Sequence, residues 1–309
     1  MNGLIRIRPD VRDATDRGQP VVALESTLFV HGLPPPTNLE VATEIERIVR
    51  DEGGVPATIG LFRGQIVVGL TSKEIEQLST GADVPKVSVR DLPIALARGS
   101  DGATTVASTS VLAVRAGIPI FATGGLGGVH RGAADSWDES ADLVTLSRTP
   151  ITVVCAGVKS ILDVAATLER LESLSVSVVG FRTSRFPGFY LADSGFDLDW
   201  SVSNEEEVAA IMAVRVALAA ESALVVANPI PAEKELDRGL HDRVLEEALA
   251  AASRTGISGK AVTPFVLDHF HRATEDRSLR VNMDIIYNNA RLAARIARAH
   301  AGQRAAAGE

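Results

Sequence analysis

Cysteine is almost absent from this 309-residue chain. Cys155 stands alone, which excludes a disulfide framework and any cysteine-rich metal site. Aromatic residues make up only 4%, so a core has to be assembled mainly from Val, Ala, Leu and Ile. Long apolar runs are missing too. The nearest, residues 208–227, is broken by Arg215 and Glu221 and falls short of the roughly 18 apolar residues needed to span a bilayer. Positive charge is in deficit: a net charge of −8 disfavours a nucleic-acid backbone or an anionic membrane as partner. The first residues, MNGLIRIRPDVRDATDRG, carry Arg and Asp where a secretory signal would need an apolar stretch, so a cytoplasmic protein is expected. Lysine is the last shortage, with five (Lys73, Lys86, Lys159, Lys234, Lys260) against 26 arginines.

A chain of this size can bury about three quarters of its unfolded surface, enough for a sizeable core. Short Val/Ile-rich runs at 21–25, 65–69, 86–89, 118–123, 151–156, 176–181 and 223–227 read as strands. They alternate with amphipathic stretches at 38–52, 91–98, 160–173, 205–219, 234–253 and 279–299, which read as helices. The first of these has Asn38 as candidate cap, an apolar stripe through Val41, Ile45, Ile48 and Val49, and Gly53–Gly54 as its end. Strands apolar on both faces and alternating with helices predict the α/β class, a largely parallel sheet covered on both sides. No repeat or linker divides the chain, so one domain over residues 1–309 is expected, with a short flexible tail at about 301–309. Residues 182–203 read as a long irregular excursion over the sheet.

Three lysines sit in apolar or glycine-rich surroundings: Lys86 in VPKVSV, Lys159 in VVCAGVKSIL and Lys260 in GISGKAVTPF. Desolvation at the mouth of an apolar strand favours the neutral amine, which can attack a carbonyl; the alternative is a lysine snorkelling over the sheet edge. Lys73 and Lys234 lie in polar sequence and read as solvated. In FATGGLGGVHRGAADSWDESADL, five glycines follow a strand, so backbone N–H groups can approach an anion, with His130 and Arg131 beside them. The pattern is neither GxGxxG nor a P-loop. A tight structural turn explains it equally well. Asp135, Asp138 and Asp142 follow, oxygen ligands that suit Mg²⁺ or Mn²⁺. The run GATTVAST at 102–109 precedes a helix and offers further hydroxyls and N–H groups. Glu25 ends the strand VVALE, where open α/β sheets place their ligands, or where a cap or ion pair would also sit. Cys155 reads as core, and the histidines other than His130 show no site spacing.

Together, ALEST with HGLPPPTN, GVPATIG, KVSVRDLP, GATTVAST, FATGGLGGVHRG, SWDESADL, VVCAGVKSILD, VANPIP, GISGKAVTPF and NNARLA resemble, in order, the pseudouridine-5′-phosphate glycosidase (indigoidine synthase A-like) family. The resemblance runs from about Val21 to Ala294, and 182–203 matches it least clearly. It implies a three-layer α/β/α fold, a homotrimer, a divalent metal (typically Mn²⁺) and reversible cleavage of pseudouridine 5′-phosphate to uracil and ribose 5-phosphate. By motif, it implies Glu25 as proton donor and Lys159 as nucleophile. It also implies Asp138 as metal ligand and Lys86, Val106, Ser140, Ala141 and Asp142 as substrate contacts, with His130 and Asn282 as further ones.

The chemistry accounts for these residue types. Ordinary glycosidases manage with two carboxylates because the leaving group is an acceptable anion. Here C1′ is joined to a uracil carbon, so a lysine that attacks C1′, opens the sugar and forms an imine offers the electrons another route, with an acid to protonate the departing base or the ring oxygen. Two rivals share these features: a Schiff-base aldolase or lyase acting on a sugar phosphate, and a non-catalytic sugar-phosphate-binding protein.

Overall fold

The computed structural model describes residues 4–81, 83–257 and 262–308. Eleven strands join in one sheet: β1 (Ile5–Ile7), β2 (Val21–Glu25), β3 (Val55–Phe62), β4 (Gln65–Val68), β5 (Lys86–Val87), β6 (Gly102–Thr104), β7 (Ile120–Ala122), β8 (Thr152–Cys155), β9 (Ser177–Phe181), β10 (Ser201–Val202) and β11 (Leu224–Ala227). The order is β1-β4-β3-β2-β7-β8-β11-β9-β10, with β6 also on β3 and β5 on β6. Only β3–β4 and β3–β6 are antiparallel, so the sheet is largely parallel as predicted.

The helices are α1 (Pro9–Asp16), α2 (Thr27–His31), α3 (Thr37–Asp51), α4 (Ser72–Thr80), α5 (Leu92–Ala97), α6 (Val106–Arg115), α7 (Ala133–Ser136), α8 (Ala141–Leu146), α9 (Val164–Ser173), α10 (Glu205–Ala217), α11 (Arg238–Arg254), α12 (Val262–Ala273) and α13 (Arg277–Ala307). Strand periodicity assigns the layers. In β2, Val22 and Leu24 join a core with Val41 and Ile45 of α3, Val208 of α10 and Ala290 of α13. Val21 and Ala23 point the other way, into a core with Leu112 of α6, Leu171 of α9 and Val244 of α11. Both faces are therefore covered, which gives three α/β/α layers. Cys155 lies fully buried in the second core, where burial pushes its thiol up to about 12, so it packs as a small apolar residue.

Several boundaries differ from the sequence reading. The β3–β4 hairpin was not anticipated; it turns through Arg63 and Gly64, at φ 51° and 74°, the left-handed pair that a two-residue hairpin requires. The strand expected at 86–89 stops at Val87, and Val89–Asp91 winds into a short 3₁₀ turn. Asn38 does not cap α3; it is buried one residue inside, and its Nδ2 donates to the carbonyls of Phe29 and Ser79 at 3.1 and 3.2 Å. The helix expected from 160 begins at Val164 because Asp163 caps it, accepting from the Ala166 N–H at 3.0 Å. Residues 301–307, expected as a loose tail, continue α13 as helix. Lys73 and Lys234 are both exposed, as expected, and Lys234 also pairs with Asp284 at 2.6 Å. Lys260 lies outside the described residues. Among the described residues, no helix is long and apolar enough to cross a membrane.

Candidate active site

β2, β7 and β8 run side by side and parallel, so their carboxyl ends open at one edge, the usual ligand edge of an open α/β sheet. Glu25 is the last residue of β2, Thr123 follows β7, and Lys159 lies four residues past β8. Glu25 is buried at 8% exposure, and its two carboxylate oxygens accept from the hydroxyls of Thr27 and Thr123. The glycine-rich loop is laced to the segment carrying Lys159: Leu126 N–H donates to Gly157 O at 2.9 Å, and Lys159 N–H donates to Leu126 O at 3.1 Å. The Lys159 side chain then reaches back, Nζ donating to Gly125 O at 2.8 Å. Because Asp163 delays α9, this lysine sits on a turn rather than being committed to a helix face.

Glu25 and Lys159 face a cleft of about 380 Å³. Lys86, Val106, His130 and Asp138 line it, as do Ser140, Ala141 and Asp142. Of the residues that the family resemblance marks as site residues, all but Asn282 are therefore brought together here, whereas Arg131 and Asp135 lie outside the cleft. Asn282 lines an adjoining, more apolar lobe of about 160 Å³, with Leu28, His31, Phe189 and Leu267. Glu25, Thr27, Lys86 and Lys159 border both lobes, so the carboxylate and the two lysines stand at their junction.

The polar lobe gathers Lys86 and Arg90 with the hydroxyl-bearing Ser88 and Thr105. Thr105 caps α6 by accepting from Ser108 N–H and Asp142 takes Ala107 N–H, so of the first turn only Val106 lines the cleft. The Lys86 ammonium also acts on two imidazoles. At His130, desolvation lowers the pKa, the Asp138 carboxylate opposes this, and Lys86 lowers it further. His31 is lowered first by desolvation and then by Lys86, against a raising hydrogen bond to the Val84 backbone. Both shifts favour the uncharged ring.

Part of the glycine-rich loop is held by the protein itself. Gly127 N–H donates to Asp142 at 2.8 Å, Val129 N–H to the Thr167 hydroxyl at 2.9 Å and His130 N–H to Asp138 O at 3.0 Å. With Leu126 also engaged, these four N–H groups are closed to a ligand. Glycine is needed at 127 for close approach: a Cβ there would lie 2.2 Å from the Ser140 hydroxyl. Asp142 itself is buried, its other oxygen accepting from Ala107 N–H at 3.0 Å. It thus ties the start of α6 to the loop.

Asp138 is the one carboxylate of the aspartate trio that is partly open to the cleft, with 35% of its side chain exposed and His130 Nδ1 3.9 Å away, beyond hydrogen-bond range. Asp135 is exposed outside it. Among the described residues no group of three or more His, Cys, Asp or Glu could hold a metal ion. A lone carboxylate beside a wet cleft fits a hard ion that keeps most of its own water, such as Mn²⁺ or Mg²⁺, and does not fit zinc.

Sequence reasoning missed Thr27, Thr123, Arg90, His31 and Phe189. The first four lie inside or beside the motifs already quoted, and Thr27, two residues after Glu25, was the most accessible. Phe189 comes from the irregular 182–203 segment, and nothing in its local sequence marks it.

Fold and site together define an α/β protein with a two-lobed cleft, one lobe carrying Lys86 and Arg90, at its sheet edge. The chain belongs to the family described as Indigoidine synthase A like protein, whose model matches residues 10–299. It is similar to a pseudouridine-5′-phosphate glycosidase of Salinispora tropica, 63% identical over 297 residues, covering 96% of this chain and 92% of the relative. A protein of the same name from Saccharopolyspora erythraea is 61% identical, with 96% and 98% covered. Among solved structures, the prealnumycin C-glycosynthase AlnA in complex with ribulose 5-phosphate matches with a TM-score of 0.91 and 36% identity, over 98% of this chain and 99% of that one. An indigoidine synthase A-like protein from Thermotoga maritima matches with a TM-score of 0.87 and 38% identity, over 95% of each.

Proposed function

We propose that this chain is an enzyme that reversibly cleaves the C–C glycosidic bond of pseudouridine 5′-phosphate, giving uracil and ribose 5-phosphate. The observation that carries this reading is the junction of a polar and an apolar lobe at Glu25 and Lys159. A sugar phosphate suits the first lobe and a flat base the second, which puts the C1′–C5 bond between them. The names of the relatives and the sugar phosphate bound to the C-glycosynthase agree with this substrate class.

In this mechanism the Lys159 amine attacks C1′ through its lone pair, the ring C–O bond breaks, and the ring oxygen takes one of the two amine protons, the other passing to Glu25 as the imine forms. The C1′–C5 bond then breaks to leave an imine on C1′, and Glu25 delivers a proton to uracil C5; water hydrolyses the imine to free ribose 5-phosphate. Lys86 and Arg90 hold the phosphate, with the Ser88 and Thr105 hydroxyls beside them. Val106, Ser140 and Ala141 border the sugar, Asp142 fixes the loop beneath it, and His130 and Asn282 offer polar contacts from the two lobes. Asp138 would hold Mn²⁺, which when bound orders water and the substrate's polar oxygens. A homotrimer in the cytoplasm, with a small-molecule substrate and no nucleic-acid or membrane partner, completes the proposal. The exposed Val214, Val216 and Leu218 on and just after α10 are consistent with a subunit contact.

Incubation with uracil, ribose 5-phosphate and Mn²⁺ should yield pseudouridine 5′-phosphate by mass, and the reverse reaction should release uracil. Binding of ribose 5-phosphate with no product in either direction would overturn the enzyme reading, and sugar C–C cleavage without uracil would favour an aldolase.

Lys86→Ala should raise KM for the phosphorylated substrate about 10- to 100-fold, the worth of one charge-assisted contact, with a smaller effect on kcat. Steady-state kinetics with unchanged KM and kcat would remove Lys86 from the phosphate site. Asp138→Ala should lose both most activity and its divalent-metal dependence while keeping its circular-dichroism spectrum. Full Mn²⁺ stimulation in that variant would place the metal elsewhere.

A further inference from the structure

Two motifs, VANPIP and NNARLA, have no part in the chemistry above, yet the fold joins them directly beneath it. Asn228, immediately after β11, donates from Nδ2 to Oδ1 of Asn289 on α13 at 2.9 Å. The amide of Asn289 is thereby oriented, and its Nδ2 donates to the carbonyls of Thr123 at 2.8 Å and Gly124 at 3.3 Å. Asn289 is fully buried and Asn228 is 6% exposed. The tripeptide so gripped, 123–125, is the one that touches both reacting groups: the Thr123 hydroxyl donates to Glu25, and Gly125 O accepts from Lys159 Nζ.

We propose that Asn289, oriented by Asn228, is a positioning residue that sets the spacing of Glu25 and Lys159 by clamping the 123–125 backbone. This rests on the reading of Glu25 and Lys159 as the reacting pair. Buried polar groups of this kind have one satisfied arrangement, because each donor is matched to an acceptor that has no water to fall back on. Replacing the donor by an acceptor of equal size turns the clamp into a repulsion against two carbonyls.

Asn289→Asp should therefore lower kcat about 10- to 100-fold, the cost of displacing reacting groups by an ångström or so, with KM within about threefold. Borohydride trapping of ribose 5-phosphate at Lys159 should slow by a similar factor. Asn228→Ala, which frees the Asn289 amide to turn, should move the same quantities in the same direction by less. Leu292→Ala, a buried apolar truncation on the same helix, should lower Tm but leave kcat unchanged below its transition. A purely structural role predicts that Asn289→Asp behaves like Leu292→Ala at temperatures equally far below each Tm, and that result overturns the proposal. If Asn289→Asp does not fold, Asn228→Ala decides by the same readouts. Lys159→Arg in the same assay separates the two failures: should it keep turnover, the pair is misassigned and the positioning role falls with it.

Discussion

Lys159→Arg should be close to inactive, with kcat down by at least about 10³-fold, although the charge and most of the side-chain volume are kept. Nucleophilic attack needs a lone pair, and a guanidinium stays protonated at any working pH. The variant should fold, since the lysine lines an open cleft and its side-chain bond to Gly125 O can be replaced by an N–H of arginine. The wild-type protein, incubated with ribose 5-phosphate and then borohydride, should gain one reduced sugar phosphate on the peptide containing Lys159. An adduct on Lys86, which borders both lobes as Lys159 does, would move the nucleophile while keeping the chemistry. No adduct, together with wild-type turnover in Lys159→Arg, would remove the imine altogether.

Glu25→Gln should lower kcat for uracil release about 10²- to 10⁴-fold, the usual range for loss of a general acid or base. The substitution is isosteric, and an amide can still bond to the Thr27 and Thr123 hydroxyls, so the strand end should be preserved. Because Lys159 is untouched, the borohydride adduct with ribose 5-phosphate should still form. Uracil release and trapping are thus expected to separate in this variant. Turnover within tenfold of wild type would assign the proton transfer to another group, with His130, which lines the same cleft, as the next to substitute.

The asparagines show where local reading stops. Asn38, beside three prolines and ahead of an amphipathic run, has every mark of a helix cap, yet it is buried and bonds to the carbonyls of Phe29 and Ser79. Asn289 sits among helix-forming residues with no local reason to matter, and acquires one from Asn228, 61 residues away. In both cases the deciding partner comes from another part of the chain. The glycine-rich loop gives the same lesson in reverse. Its sequence suits anion binding, but Asp142, Thr167 and the neighbouring backbone take up the N–H groups of Leu126, Gly127, Val129 and His130.

By itself the sequence determined the layer architecture. A strand such as VVALE, apolar at every position but the last, can bury its alternate residues only if both faces are covered, and the strand–helix alternation then makes the sheet mainly parallel. It also placed Glu25 at the end of a strand and Lys159 just past another, because both positions follow directly from where the apolar runs stop. Only the tertiary structure decided that those two ends open at one sheet edge with β7 between them, since strand order depends on crossover connections that leave no mark on local pattern. The same holds for the second lobe. Its walls come from α2, α12, α13 and the 182–203 segment, residues far apart in the chain that meet because the helices pack against one sheet edge.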